Sequence, residues 1–272
     1  LINIEIKDMK IGMIGAGNLA SHLAPALQNA GHEIVAVYSR TRLSAEGLAG
    51  KMGVPAIVNL EQMPKADVYV FSVRDDVLQT LVDHWCPQHP EALFLHTAGS
   101  VPLSVFERVA QRYGVIYPMQ TFSKAREVDF QRIPCFIEGS SPEVLSEIQS
   151  LARQISSQVI ILNSEKRRML HLAAVFACNF VNHCYAEAAR LVEEAGIPFA
   201  AMLPLIDETA SKVHELQPVQ AQTGPAVRYD CQVMQRQMQL LEDSGAKQIY
   251  QAMSEQIHAY ALKYQNDAKR TE

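Results

Sequence analysis

Short, nearly uninterrupted apolar runs alternate with amphipathic segments over residues 10–162. Runs at 11–14, 33–39, 56–58, 68–72, 92–96, 114–117, 135–138 and 158–162 read as strands, several too apolar to leave a face in water. The segments between them have helical periodicity. One helix ends at Gly31, one covers 44–52, one opens at Arg74-Asp75-Asp76, and two more cover 102–113 and 142–154. Residues 1–8 alternate apolar and polar, as an extension or an extra edge strand would. Strand–helix alternation of this kind predicts an α/β domain, a doubly wound and mainly parallel sheet with helices on both faces.

Beyond Asn163 the pattern changes, and nothing further reads as a strand. Helices are predicted over 164–195, 198–216, 225–241 and 244–264, with a loop over 217–225. The first is apolar nearly all round between Leu170 and Ala189, so it is expected to be buried. Lys166, Arg167 and Arg168 are expected on its solvated end. The chain thus divides into an α/β domain, 1–162, and an all-α domain, 163–272.

Candidate chemistry starts at the turn after the first strand, Gly15-Ala16-Gly17-Asn18-Leu19-Ala20. Gly15 permits a tight turn, Gly17 lets backbone approach a pyrophosphate, and Ala20 is small enough for close helix–strand packing. The free N–H groups of the helix that follows face the phosphates. Strand, glycine turn, helix and second strand in this order describe a Rossmann dinucleotide site. NAD sites end the second strand in an acid that holds the ribose 2′-hydroxyl. This chain has Ser39-Arg40-Thr41-Arg42 there. A guanidinium and two hydroxyls suit a 2′-phosphate, so the expected cofactor is NADP(H). Ser72, Val73 and Arg74, at the end of the strand at 68–72 and just past it, complete the expected cofactor wall. Arg40 and Arg42 read alternatively as solvated charges at a helix start.

Composition narrows the partners. The net charge is −5 and no basic run occurs, which argues against nucleic acid. No apolar stretch is long enough to span a bilayer, and the N-terminus lacks a signal-peptide pattern. Five cysteines without a CxxC pair fit reduced thiols in a cytoplasmic protein. Cys135, Cys178 and Cys184 are read as small core residues. No Cys or His cluster has metal-ligand spacing, and no metal is expected.

Five stretches carry a family resemblance. They are residues 15–20, His96-Thr97-Ala98-Gly99-Ser100, Tyr117-Pro118-Met119-Gln120-Thr121-Phe122, residues 171–180 and Thr223-Gly224-Pro225-Ala226-Val227-Arg228-Tyr229-Asp230. In them the chain resembles Rossmann-like NADP oxidoreductases whose helical C-terminal domain is of unknown function. These are relatives of the 6-phosphogluconate dehydrogenase, pyrroline-5-carboxylate reductase and prephenate dehydrogenase superfamily. The resemblance implies a cytosolic, NADP-binding, two-domain oxidoreductase, commonly dimeric through its helical half, and supplies no substrate. One departure matters. Many β-hydroxyacid dehydrogenases of the superfamily carry a Lys four residues before an Asn on the first long helix, and here Asn179 is preceded at that distance by Val175.

Hydride transfer needs a placed cofactor and a group that moves a proton. Candidates lie at strand ends or on the long helix. His171 and Asn179 are separated by about 80° on a continuous α-helix, and with His96 or Ser100 they are expected to line a polar substrate pocket. Gln120 and Arg228 are candidate substrate contacts, Arg228 as a carboxylate clamp. Each has a plainer reading. His171 could be a core histidine, His96 a helix cap or a holder of the cofactor amide, and Arg228 the ion-pair partner of Asp230. The leading expectation is an NADP-dependent oxidoreductase acting on a small carbonyl, hydroxy or imine substrate, homodimeric through the helical domain. The alternative is a non-catalytic NADP-binding regulator or interaction protein, with a Rossmann methyltransferase as a third class.

Overall fold

The computed structural model describes residues 8–271; the strand or extension expected over 1–8 lies, but for Asp8, outside them. The chain forms two compact units, Leu1–Cys178 and Asn179–Glu272.

The first unit is built on one eight-stranded sheet in the order β3-β2-β1-β4-β5-β6-β7-β8. Its strands are β1 (Lys10–Ile14), β2 (Glu33–Tyr38), β3 (Ala56–Ile57), β4 (Val68–Phe71), β5 (Leu93–His96), β6 (Arg112–Pro118), β7 (Cys135–Gly139) and β8 (Val159–Ile161). All neighbours pair in parallel except β6 and β7. Helices α1 (Ala20–Asn29), α2 (Arg42–Met52), α3 (Asp75–Trp85), α4 (Pro142–Ile155) and α5 (Ser164–Ala174) belong to this unit. The order reverses between β1 and β4, the crevice where doubly wound sheets bind ligands at their strands' C-terminal ends.

Each face of the sheet has its own core. Leu23 and Leu27 of α1 and Ile148 and Leu151 of α4 cluster with Ile11, Met13, Val68 and Leu95. On the other face Leu78, Val82 and Trp85 of α3 pack with Tyr69, Phe71, Phe94 and Phe106. Central β4 and β5 are buried at every position, as parallel strands covered by helices on both sides must be.

The helix predicted over 102–113 is absent. A 3₁₀ turn, Leu103–Phe106, takes its place, and β6 already begins at Arg112. Pairing of Arg112 with Leu93 and Tyr113 with Phe94 claims the chain before a helix could be completed. Arg167 is also corrected: it is 1% exposed, not solvated. Its guanidinium pairs with Glu138 and donates to the Val101 carbonyl at 2.6 Å.

A π-helical turn, Val175–Phe180, follows α5, and α6 (Val181–Glu194) follows the turn. The second unit continues with α7 (Leu203–Glu215), α8 (Pro218–Ala221), α9 (Pro225–Arg228), α10 (Cys231–Gln239) and α11 (Ser244–Thr271). A 3₁₀ turn, Phe199–Met202, opens the segment predicted as helix over 198–216, and α8 occupies part of the predicted 217–225 loop. The helix predicted over 225–241 breaks at Tyr229, left-handed at φ 54°, after which the Asp230 carboxylate caps α10 by accepting from Val233 N–H at 3.2 Å. Within this unit α8, α9 and α10 pack on α11.

The burial expected of the long helix is not found in the single chain, where no residue of α6 is buried. Nor are Cys178, which is exposed, and Cys184, which is half-buried, core residues; Cys135 is. Among the described residues no helix is long and apolar enough to cross a membrane, and no His/Cys/Asp/Glu group could hold a metal.

Candidate functional site

A cleft of about 900 Å³ opens within the first unit at the strand ends. Its floor is the turn from Gly15 to Leu19. Gly15 sits at φ 121°, and a Cβ there would stand 2.0 Å from the Ser72 carbonyl oxygen, so only glycine fits between β1 and β4. A Cβ on Gly17 would meet nothing within 4 Å, which leaves its backbone open to a ligand.

Within the first unit, helix caps set the helices at the cleft apart from the others. Ser141 caps α4 and Asn163 caps α5 through their side-chain oxygens. No side chain caps α1 or α2, and neither has an acid in its first turn. Thr41, at the α2 N-cap, donates its hydroxyl to Ser44 instead. Two N-termini therefore keep unsatisfied N–H groups and a positive dipole end beside the cleft, an arrangement that attracts phosphate. The residues present fit a dinucleotide.

Every residue expected at the cofactor lines this cleft: Gly15, Ala16, Gly17, Asn18, Leu19, Ser39, Arg40, Thr41, Ser72, Val73 and Arg74. Their cations are not equivalent. Arg74 grips Asp76 with two hydrogen bonds, at 3.0 and 2.7 Å, and Arg42 pairs with Glu46. Arg40 makes no ion pair or hydrogen bond among the described residues and faces the cleft with its charge uncommitted.

The catalytic candidates scatter. His171 lines the cleft, and its Nδ1 lies 3.0 Å from the Tyr117 phenol oxygen. Gly99 makes room for it, since a Cβ there would stand 2.6 Å from that nitrogen. His96, by contrast, is wholly buried behind the wall, with Nδ1 accepting from Ala98 N–H at 3.1 Å. Burial, reinforced by the Arg167 cation, pushes its pKa down to about 3, so it stays neutral and lines nothing. Ser100 gives its hydroxyl to Asp75 and does not line the cleft. Gln120 is exposed and turned back on itself, its Oε1 accepting from Thr121 N–H at 2.8 Å. Asn179 and Arg228 belong to the second unit, each exposed there. The 80° angle between His171 and Asn179 does not hold across the π turn, where each residue turns through less than in an α-helix. No ion pair joins Arg228 to Asp230 among the described residues; Asp230 is the α10 cap.

Sequence reasoning passed over Tyr117, Thr97, Tyr38 and Lys124, all of which line the cleft. Tyr117 stood within a motif at a strand end, which was the available signal. Burial raises its pKa, partly offset by the Arg167 cation.

Two family descriptions match the chain. Residues 10–98 match the NADP oxidoreductase, coenzyme F420-dependent family, and residues 133–257 match a domain of unknown function, DUF2520. The chain is 49% identical to the putative NADP oxidoreductase BF3122 from Bacteroides fragilis, over 93% of this chain and 98% of that one, with a TM-score of 0.89. Protein TM1727 from Thermotoga maritima is 22% identical over 93% and 99%, at a TM-score of 0.76. The 1-pyrroline-5-carboxylate reductase of Streptococcus pyogenes shares the fold at 14% identity over 93% and 99%, with a TM-score of 0.58. No curated protein matches. With a Rossmann-like sheet and 49% identity to BF3122 over 93% of its length, the chain belongs to the NADP oxidoreductase family that joins this domain to a DUF2520 domain.

Proposed function

We propose that the protein is an NADP(H)-dependent oxidoreductase that reduces a small carbonyl or imine compound, or oxidises the corresponding hydroxy compound. The observation that carries this reading is one cleft that joins the Gly15 turn, two uncapped helix N-termini and the unpaired Arg40. The Gly15–Leu19 backbone would hold the pyrophosphate, and Arg40 with Ser39 and Thr41 the 2′-phosphate. When bound, the nicotinamide supplies or accepts a hydride. His171, at the wall formed by the β5 and β6 ends, would hold or move the accompanying proton. Asn179 remains a candidate for orienting the substrate.

Direct titration of the full chain with NADPH, NADH and S-adenosylmethionine tests the reading. NADPH is expected to bind most tightly; binding of S-adenosylmethionine alone would overturn it. A regulator that binds NADP without turnover is the second reading, favoured by Val175 in the place of the usual lysine. NADPH consumption against carbonyl and imine panels separates the two.

Assembly and location belong to the same proposal. Neither α6 nor α7 buries a residue, and Leu191, Leu203, Leu205 and Val213 are among their exposed apolar side chains. Helices that leave so many apolar side chains exposed suit a second copy of the chain docking on the helical unit. All five cysteines are free thiols, which suits a reducing cytoplasm.

A further inference from the structure

We infer that Tyr117, rather than His171 itself, is the catalytic proton donor to the substrate, with His171 as the positioning and relay group behind it. This rests on the oxidoreductase reading above. Three observations bring the pair together. Tyr117 lies on β6 two residues past the last pairing of that strand with β5, His96 with Val115, so it reaches beyond the β5 end into the cleft. Its phenol oxygen meets His171 Nδ1 at 3.0 Å, the rings edge-on at 76°. The imidazole in turn occupies the space that Gly99 leaves empty.

Beneath the pair, α5 is locked to the sheet. One turn before His171, Arg167 joins Glu138, and Ser164 gives its hydroxyl to the same carboxylate at 2.8 Å. Ser164 also accepts from Leu103 N–H at 2.8 Å. This buried network holds the imidazole against the phenol. His171 Nε2 has no hydrogen-bond partner among the described residues, so it can take a proton from water.

As a hydride forms a new C–H bond at the carbonyl or imine carbon, the π electrons of that bond pass to its oxygen or nitrogen. That atom takes the phenolic proton of Tyr117. The Nδ1 proton of His171 replaces it, and Nε2 takes one from water, so the net reaction uses one hydride from NADPH and one proton from solvent. The reverse sequence serves oxidation. Burial keeps the phenol protonated until it is used.

The test needs no substrate. Titration calorimetry of the full chain in two buffers of different ionisation enthalpy, near pH 9.5, where a phenol begins to ionise, reads proton release when a nucleotide binds. NADP⁺ carries a positive nicotinamide and NADPH a neutral one, so NADP⁺ is expected to release the larger fraction of a proton from the phenol. Tyr117→Phe should abolish that difference and keep NADPH affinity within about threefold, while His171→Gln should reduce it. A difference that survives Tyr117→Phe, or equal release by both nucleotides in the wild type, overturns the inference. Failure of either nucleotide to bind overturns the oxidoreductase reading itself. Should Tyr117→Phe not fold, the ¹⁵N resonances of the wild-type His171 ring decide. They should move more with NADP⁺ than with NADPH, and equal movement counts against the relay.

Discussion

At the scale of single residues, neighbours separate groups that the sequence presents as equals. Arg40, Arg42 and Arg74 all stand near the cleft, yet only Arg40 has no partner among the described residues. NADPH should therefore bind at least about tenfold more tightly than NADH, a difference of about 1.4 kcal/mol. Arg40→Ala should remove most of that preference, as paired titrations of both cofactors would reveal; an unchanged ratio would show that the 2′-phosphate sits elsewhere. His96 yields a second expectation. Its pKa is lowered in the folded chain to about 3, from an ordinary 6.5, chiefly by burial. The unfolded chain thus binds the extra proton first, and stability falls as pH drops from about 6.5 towards 3. His96→Asn keeps an acceptor for Ala98 N–H and carries no titration. Urea midpoints at pH 7 and pH 5 should fall less for the variant than for the wild type.

At the scale of elements, the junction between sheet and α5 depends on a buried charge pair. Arg167 is 1% exposed and the Glu138 side chain 16%, so deleting either partner strands a charge away from water. Glu138→Ala should destabilise the protein by about 3–5 kcal/mol. Replacing both residues by leucine should be milder than the single change. Chemical unfolding of the three chains measures this, and a double variant less stable than Glu138→Ala would contradict it. The same pair explains why the segment Lys166-Arg167-Arg168 misleads when read as sequence. Three consecutive cations look like a solvated face, but a helix turns each residue by about 100° and aims one of the three inward. Whether an acid waits there depends on β7, twenty-nine positions away along the chain.

At the scale of the whole molecule, the apolar surface of the helical unit is the main unresolved demand on the chain. Helices α6 and α7 bury no residue within one chain, although their apolar side chains are numerous. Light scattering at micromolar concentration should therefore give the mass of a dimer. Leu205→Glu, which puts a charge on an exposed apolar position of α7, should shift the mass towards the monomer without lowering NADPH affinity. A wild-type monomer would remove the dimer proposal.

What the sequence determined by itself was local and periodic. Apolar runs of strand length between helical repeats specified the sheet, and the Gly15–Leu19 turn with Arg40 marked one wall of the cleft. These features were legible because neighbouring residues build them: a βαβ unit carries its own ligand geometry within one short stretch. Residues 102–113 were misread because their conformation is dictated by β5, whose pairing takes Arg112 and Tyr113 into β6. Only the tertiary structure decided which polar groups face the cleft. His96 and Tyr117 both lie at strand ends, and one is sealed in the core while the other meets His171 across 54 positions of chain. Which way a strand-end side chain points, and what meets it there, follows from register and from helices packed above. Those are long-range contacts that no local pattern encodes.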